Sequence, residues 1–139
     1  MRKIIGFLAA SAIFALCAFP ASARNVEKAP PGPPYRKVSE MVKLPDFLPG
    51  MGTLYVDPKT LPEGPFLAYD HHVRLVSTIY MIPLKDLDAQ KAWASLPAPG
   101  GTVDHVSISY NAGHPGVAEP HYHVILWYVS PQRASQLAK

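Results

Sequence analysis

Four of the six histidines in this chain fall between His105 and His123, and their spacing is one that can build a site. In the stretch Pro120-His121-Tyr122-His123 two imidazoles stand two residues apart. On a β-strand that spacing sends both to the same side, a standard way for one element to supply two metal ligands. His105 lies on a neighbouring strand if residues 103–110 and 122–129 pair, and it falls on that strand's polar face. His114 sits in the connecting loop between Gly113 and Pro115, where it can fold over the same space. Three or four neutral imidazoles gathered in this way suit Zn, Cu, Ni or Fe. Asp104 and Glu119 flank the cluster as further ligands, orienting partners or bases, and Tyr122 stands between the paired histidines. The competing reading makes each histidine a separate cap, hairpin or half-buried polar residue. His71 and His72 are adjacent, so on extended backbone they point to opposite faces, and they fall at an expected turn.

Other chemistry has little support in the sequence. Neither Gly50-Met51-Gly52 nor Gly100-Gly101 has the spacing of a phosphate loop or a dinucleotide fingerprint, so no nucleotide cofactor is expected. No G-x-S-x-G occurs, and Ser107 and Ser109 read as the wet face of a strand rather than as nucleophiles.

The N-terminus places the chain outside the cytoplasm. Met1-Arg2-Lys3 is a short positive region and Ile4 to Phe19 is almost unbroken apolar sequence, followed by Ala21-Ser22-Ala23 with small residues where signal peptidase requires them. Residues 1–23 therefore read as a cleaved signal peptide, giving a periplasmic or secreted protein. The apolar run is shorter than the roughly 20 residues of a membrane span, and Pro20 interrupts it, so no membrane attachment is expected after cleavage. Cys17 is the only cysteine. It follows Leu16 rather than the small residue of a lipoprotein signal, and it leaves with the signal. The mature chain then offers neither disulfide nor thiolate, which argues against a closed structural zinc site. Loss of Arg2 and Lys3 also takes two charges from a net +3, leaving nothing like the concentrated basic face that nucleic acid requires.

The remaining elements must position the histidines. Residues 24–44 contain Ala29-Pro30-Pro31-Gly32-Pro33-Pro34 and read as a Pro-rich linker or loosely docked arm. Residues 45–139 read as a single domain. Thr53 to Val56, Pro65 to Tyr69 and Val73 to Ile82 are candidate strands, the last two joined through Asp70-His71-His72. Ala89, Ala92, Trp93 and Leu96 fall at helical spacing within Leu84 to Leu96, predicting one amphipathic helix. Val103 to Tyr110 alternates, with Val106, Ile108 and Tyr110 expected in the core. Tyr122 to Val129 is apolar on both faces, as a central strand or an oligomer contact would be. The class is α+β, a mainly antiparallel sheet with one amphipathic helix packed on it.

The order Met51-Gly52, Tyr55-Val56-Asp57-Pro58, Tyr80-Met81, Asp104-His105-Val106, Gly113-His114 and Pro120-His121-Tyr122 resembles a family of secreted bacterial proteins of unknown function, typified by a sigma-E-controlled thermophile protein. The likeness runs over about residues 45–131. It implies an α+β domain, self-association, an extracytoplasmic location and a histidine-rich site that includes His105, His114 and His121. The chain departs from that pattern at three places. Leu54 and Ile125 stand where the family has histidine, and His123 stands where it has aspartate.

These readings point to a secreted or periplasmic protein that binds a metal ion or a small ligand through its histidine cluster, as a homo-oligomer. The alternatives are a metal-dependent enzyme, either a hydrolase or a cupin-like oxygenase, and a structural homo-oligomer without a site. The cupin comparison lacks the Glu expected a few residues after H-x-H, where the chain reads Val124-Ile125-Leu126-Trp127.

Overall fold

A computed structural model describes residues 25–139; the segment 1–23, read above as a signal peptide, lies outside them. The described residues form one antiparallel sheet of six strands: β1 (Arg36–Lys37), β2 (Thr53–Val56), β3 (Phe66–Tyr69), β4 (Leu75–Pro83), β5 (His105–Asn111) and β6 (His121–Trp127). The spatial order is β1-β2-β3-β4-β6-β5, so β6 inserts between β4 and β5 and leaves β5 at the edge. Short helices α1 (Leu84–Asp88) and α2 (Pro131–Ala134) complete the regular structure, together with 3-10 turns. The β3–β4 hairpin turns through Asp70, whose carboxylate accepts bonds from the backbone N–H of His72 and Arg74 at 2.9 and 3.0 Å.

The main core lies on one face of the sheet. Leu54, Val56, Phe66, Ile79, Met81, Ile125 and Trp127 meet there, and Val38 and Leu137 close over them from outside the sheet. A smaller cluster on the opposite face joins Leu67 and Tyr69 to Val26. Residues 25–44 are therefore no linker. Arg36–Lys37 pairs with Tyr55 and Val56 as the edge strand β1, Val26 and Val38 are buried, and the Tyr69 hydroxyl donates to the Val26 carbonyl at 2.8 Å. The proline stretch turns at Pro33-Pro34, with the Tyr35 N–H donating to the Gly32 carbonyl at 3.1 Å, while the arm's few apolar side chains dock it.

Two further expectations are corrected. The amphipathic helix is absent: α1 ends at Asp88, and Gln90 takes a left-handed φ of 58°. The following segment runs irregularly across the sheet, held by a hydrogen bond from the Tyr80 hydroxyl to the Pro97 carbonyl. The helical spacing of Ala89, Ala92, Trp93 and Leu96 thus has no helix to serve. The faces of β5 are also inverted. Val106, Ile108 and Tyr110 are 52%, 66% and 56% exposed, whereas His105, Ser107 and Ser109 stand opposite Trp127, Ile125 and His123 on the inward face. Ser107 accepts a hydrogen bond from Trp127 Nε1 at 2.9 Å. The polar face of β5 thus turns inward, towards Trp127 and the two histidines of β6.

Candidate metal centre

The paired histidines arise from strand periodicity. β6 alternates buried and half-buried residues along its length, so His121 and His123 share the inward face with Ile125 and Trp127. His121 is fully buried and His123 is 7% exposed. Across the ladders, His123 faces Met81 on β4 and Ser109 on β5, and His121 faces Pro83 and Asn111. The pair therefore sits at one end of the main core.

The third imidazole arrives on the β5–β6 loop. His114-Pro115-Gly116-Val117 has proline and glycine in the order of a type II turn, with φ of 89° at Gly116. The turn closes through reciprocal backbone bonds of 2.9 Å between His114 and Val117. Gly113, at φ 127°, donates its N–H to Asn111 Oδ1 at 2.8 Å. A Cβ on Gly113 would lie 2.5 Å from the Ala118 carbonyl oxygen, so only glycine allows the loop to fold this tightly. The folded loop brings the His114 ring to 4.9 Å from that of His121 and 5.7 Å from that of His123, between centroids.

Hydrogen bonds set which nitrogens face inward. His121 Nδ1 lies 2.7 Å from the Glu119 carbonyl oxygen, and His114 Nδ1 lies 3.0 Å from that of Pro115. A carbonyl only accepts, so both Nδ1 atoms carry the proton and both Nε2 atoms carry the lone pair. His121 Nε2 then stands 3.0 Å from His123 Nε2. Burial, followed by the neighbouring His121 and His114, pushes the His123 pKa down to about 4, so this ring is neutral over the range in which an imidazole must be free to bind a metal.

His114, His121 and His123 could hold a metal ion: one ligand atom from each lies within 4.8 Å of the others. Two nitrogens on a tetrahedral zinc ion at the usual bond length lie about 3.3 Å apart. The His121–His123 pair is already close to that separation, and His114, its ring 4.9 and 5.7 Å from theirs, would supply the third ligand. Carbonyl oxygens on the outer Nδ1 atoms are the orienting partners typical of metal-bound histidine.

The other sequence candidates lie elsewhere. His105 does not join the three. It faces Trp127, with ring centroids 5.9 Å apart, and its Nδ1 is 2.8 Å from Asp104 Oδ1. Asp104 is thereby engaged by His105, away from the cluster. Glu119 contributes its backbone carbonyl, while its carboxylate pairs with Lys85 Nζ at 2.7 Å. Tyr122 faces the opposite side of β6, edge-on to Tyr110 at 5.8 Å. His71 stacks on Phe47 at 3.7 Å in the β3–β4 turn, with His72 beside Arg74.

Sequence reasoning did not identify the residues that wall the space beside the three rings. A cavity of about 230 Å³ opens there, with His114, His123 and Asn111 at its polar end and Val56, Phe66 and Ile79 on its sheet wall. Its opposite wall comes from the arm and the segment after it, including Met41, Leu48 and Met51. The signal was the apolar residues Val38, Met41, Val42 and Leu44, which the prolines before them disguised as linker.

No family model matches the sequence, and no curated protein matches it. Among solved structures, the fold is similar to the crystal structure of hypothetical protein TTHB210 from Thermus thermophilus, with 44% sequence identity and a TM-score of 0.62. The match covers 68% of this chain and 93% of that one.

Proposed function

This chain belongs to the same family as the Thermus thermophilus protein, and from that premise we propose that it is an extracytoplasmic metal-binding protein. His114, His121 and His123 hold one divalent transition-metal ion and leave a fourth coordination position towards the apolar cavity. The observation that carries the reading is the arrangement of the rings. Three imidazoles converge, two of them with Nδ1–H donating to a backbone carbonyl so that Nε2 keeps the lone pair. An all-imidazole set suits Zn, Cu, Ni or Fe rather than Mg or Ca. The signal-like N-terminus supports the location.

Three protein ligands with a fourth position open is also the pattern of catalytic zinc. Binding is nevertheless favoured over hydrolysis, because the nearby carboxylates are engaged elsewhere: Glu119 with Lys85 and Asp104 with His105. No protein base accompanies the three rings among the described residues that line the cavity.

Self-association has its own support. Val106, Ile108 and Tyr110 form an exposed apolar stripe on β5, an edge strand with one unpaired side. Such a surface is normally covered in a stable protein, and we assign it to a second copy of the chain.

Cobalt substitution tests the metal reading. Cobalt(II) bound by three imidazoles and one further ligand gives the intense visible absorption of a tetrahedral ion. A spectrum no different from that of hexa-aqua cobalt would refute it.

A further inference from the structure

We propose that the metal-loaded protein binds a small carboxylate with an apolar tail, its head on the open coordination position and its tail in the cavity beside His114 and His123. The inference rests on the metal reading and adds the class of ligand.

The cavity is polar at one end only. His114, His123 and Asn111 mark that end, and the remaining lining is aliphatic, aromatic, thioether or glycine. An occupant matched to such walls has one polar end and an apolar body. The volume of about 230 Å³ exceeds the roughly 150 Å³ of an engineered apolar cavity that accommodates benzene, so a short alkyl chain or single ring fits. Exposed Pro115 and Gly116, with Leu61 at 46% exposure, line the rim and give such a molecule a way in.

Charge selects the head group. A divalent ion on three neutral imidazoles is a buried double positive charge, and no carboxylate of the protein lines the cavity to offset it. Buried charge is tolerated when it is paired, and an incoming carboxylate supplies the pairing. Asn111 uses its amide oxygen on the Gly113 N–H. Its amide NH₂ remains to donate to the second carboxylate oxygen.

The test is calorimetric titration of the mature protein, loaded with one equivalent of zinc, with linear carboxylates from butanoate to decanoate. Metal-free protein and a Met41→Trp variant are titrated in parallel, each checked for zinc content. Each added methylene is expected to tighten binding about fourfold until the cavity is filled. Binding should vanish without zinc, and Met41→Trp should retain zinc while shortening the best chain. Stoichiometric zinc uptake with no carboxylate binding, or with binding independent of chain length, overturns the inference and leaves the metal site standing. Equal binding to metal-free protein overturns the assignment of the head group. Failure to take up zinc at all removes the metal reading, and this inference with it.

Discussion

Nε2 of His121 and Nε2 of His123 stand 3.0 Å apart on the buried face of one strand. That separation is short for two rings that merely coexist. It needs either a shared proton, with one ring donating to the other, or a shared ion. The Glu119 carbonyl fixes the proton of His121 on the far nitrogen, so His121 presents a lone pair in either case. The choice falls to His123, which burial keeps neutral.

The three rings should act as a unit. Replacing His121 or His123 by alanine is expected to weaken zinc binding by about 100-fold or more, since even orienting partners of a metal ligand contribute roughly 10- to 100-fold. His105→Ala should change it by less than about threefold, because His105 bonds Asp104 and faces Trp127 instead. Competition titration with a chromogenic chelator reads all three variants.

Acid should act on stability through His123. Its pKa is about 4 in the folded chain and near 6.5 when unfolded, so between those values the unfolded state binds the extra proton. Stability of the metal-free protein is therefore expected to fall as pH drops from 6.5 towards 4, and His123 should have no effect above that window. Urea midpoints measured across the range, with His123→Gln flattening the slope, check the sign.

The β5–β6 loop should be separable from the sheet. Gly113→Ala places a Cβ against the Ala118 carbonyl at a φ of 127°, a conformation that costs about 1–3 kcal/mol for a non-glycine residue. The expected outcome is weaker metal binding through a displaced His114, with unchanged far-ultraviolet circular dichroism.

The exposed stripe on β5 gives a fourth expectation. Ile108→Lys puts a charge at a residue 66% exposed, which costs the monomer little. Light scattering should show a smaller assembly than the parent forms, with metal content unchanged.

Much of this was legible in the sequence, because side-chain period decides which residues share a face. It identified β2 at its observed bounds and β3 and β4 nearly so, and it set His121 beside His123. Period does not say how far along a strand two residues lie, and there His105 was misplaced. It pairs with Trp127, while His123 pairs with Ser109, four residues and about 13 Å further on. Nor does alternation say which face is inside. Val106, Ile108 and Tyr110 read as core, yet the ladder with β6 turns the polar face of β5 inward. The helical spacing after Leu84 lost to the left-handed Gln90 and to the tether between Tyr80 and Pro97. The arm's prolines hid the docking of Val26 and Val38, and with it the wall of the cavity.

The most direct test of the central claim is elemental analysis of the mature protein, purified without an affinity tag, beside a His121→Ala/His123→Ala double variant. The account predicts about one equivalent of transition metal, present on purification or after exposure to metal and dialysis, in the parent and none in the folded variant. A folded parent that neither carries nor takes up metal would contradict it, leaving the His121–His123 contact as a buried hydrogen bond of the core.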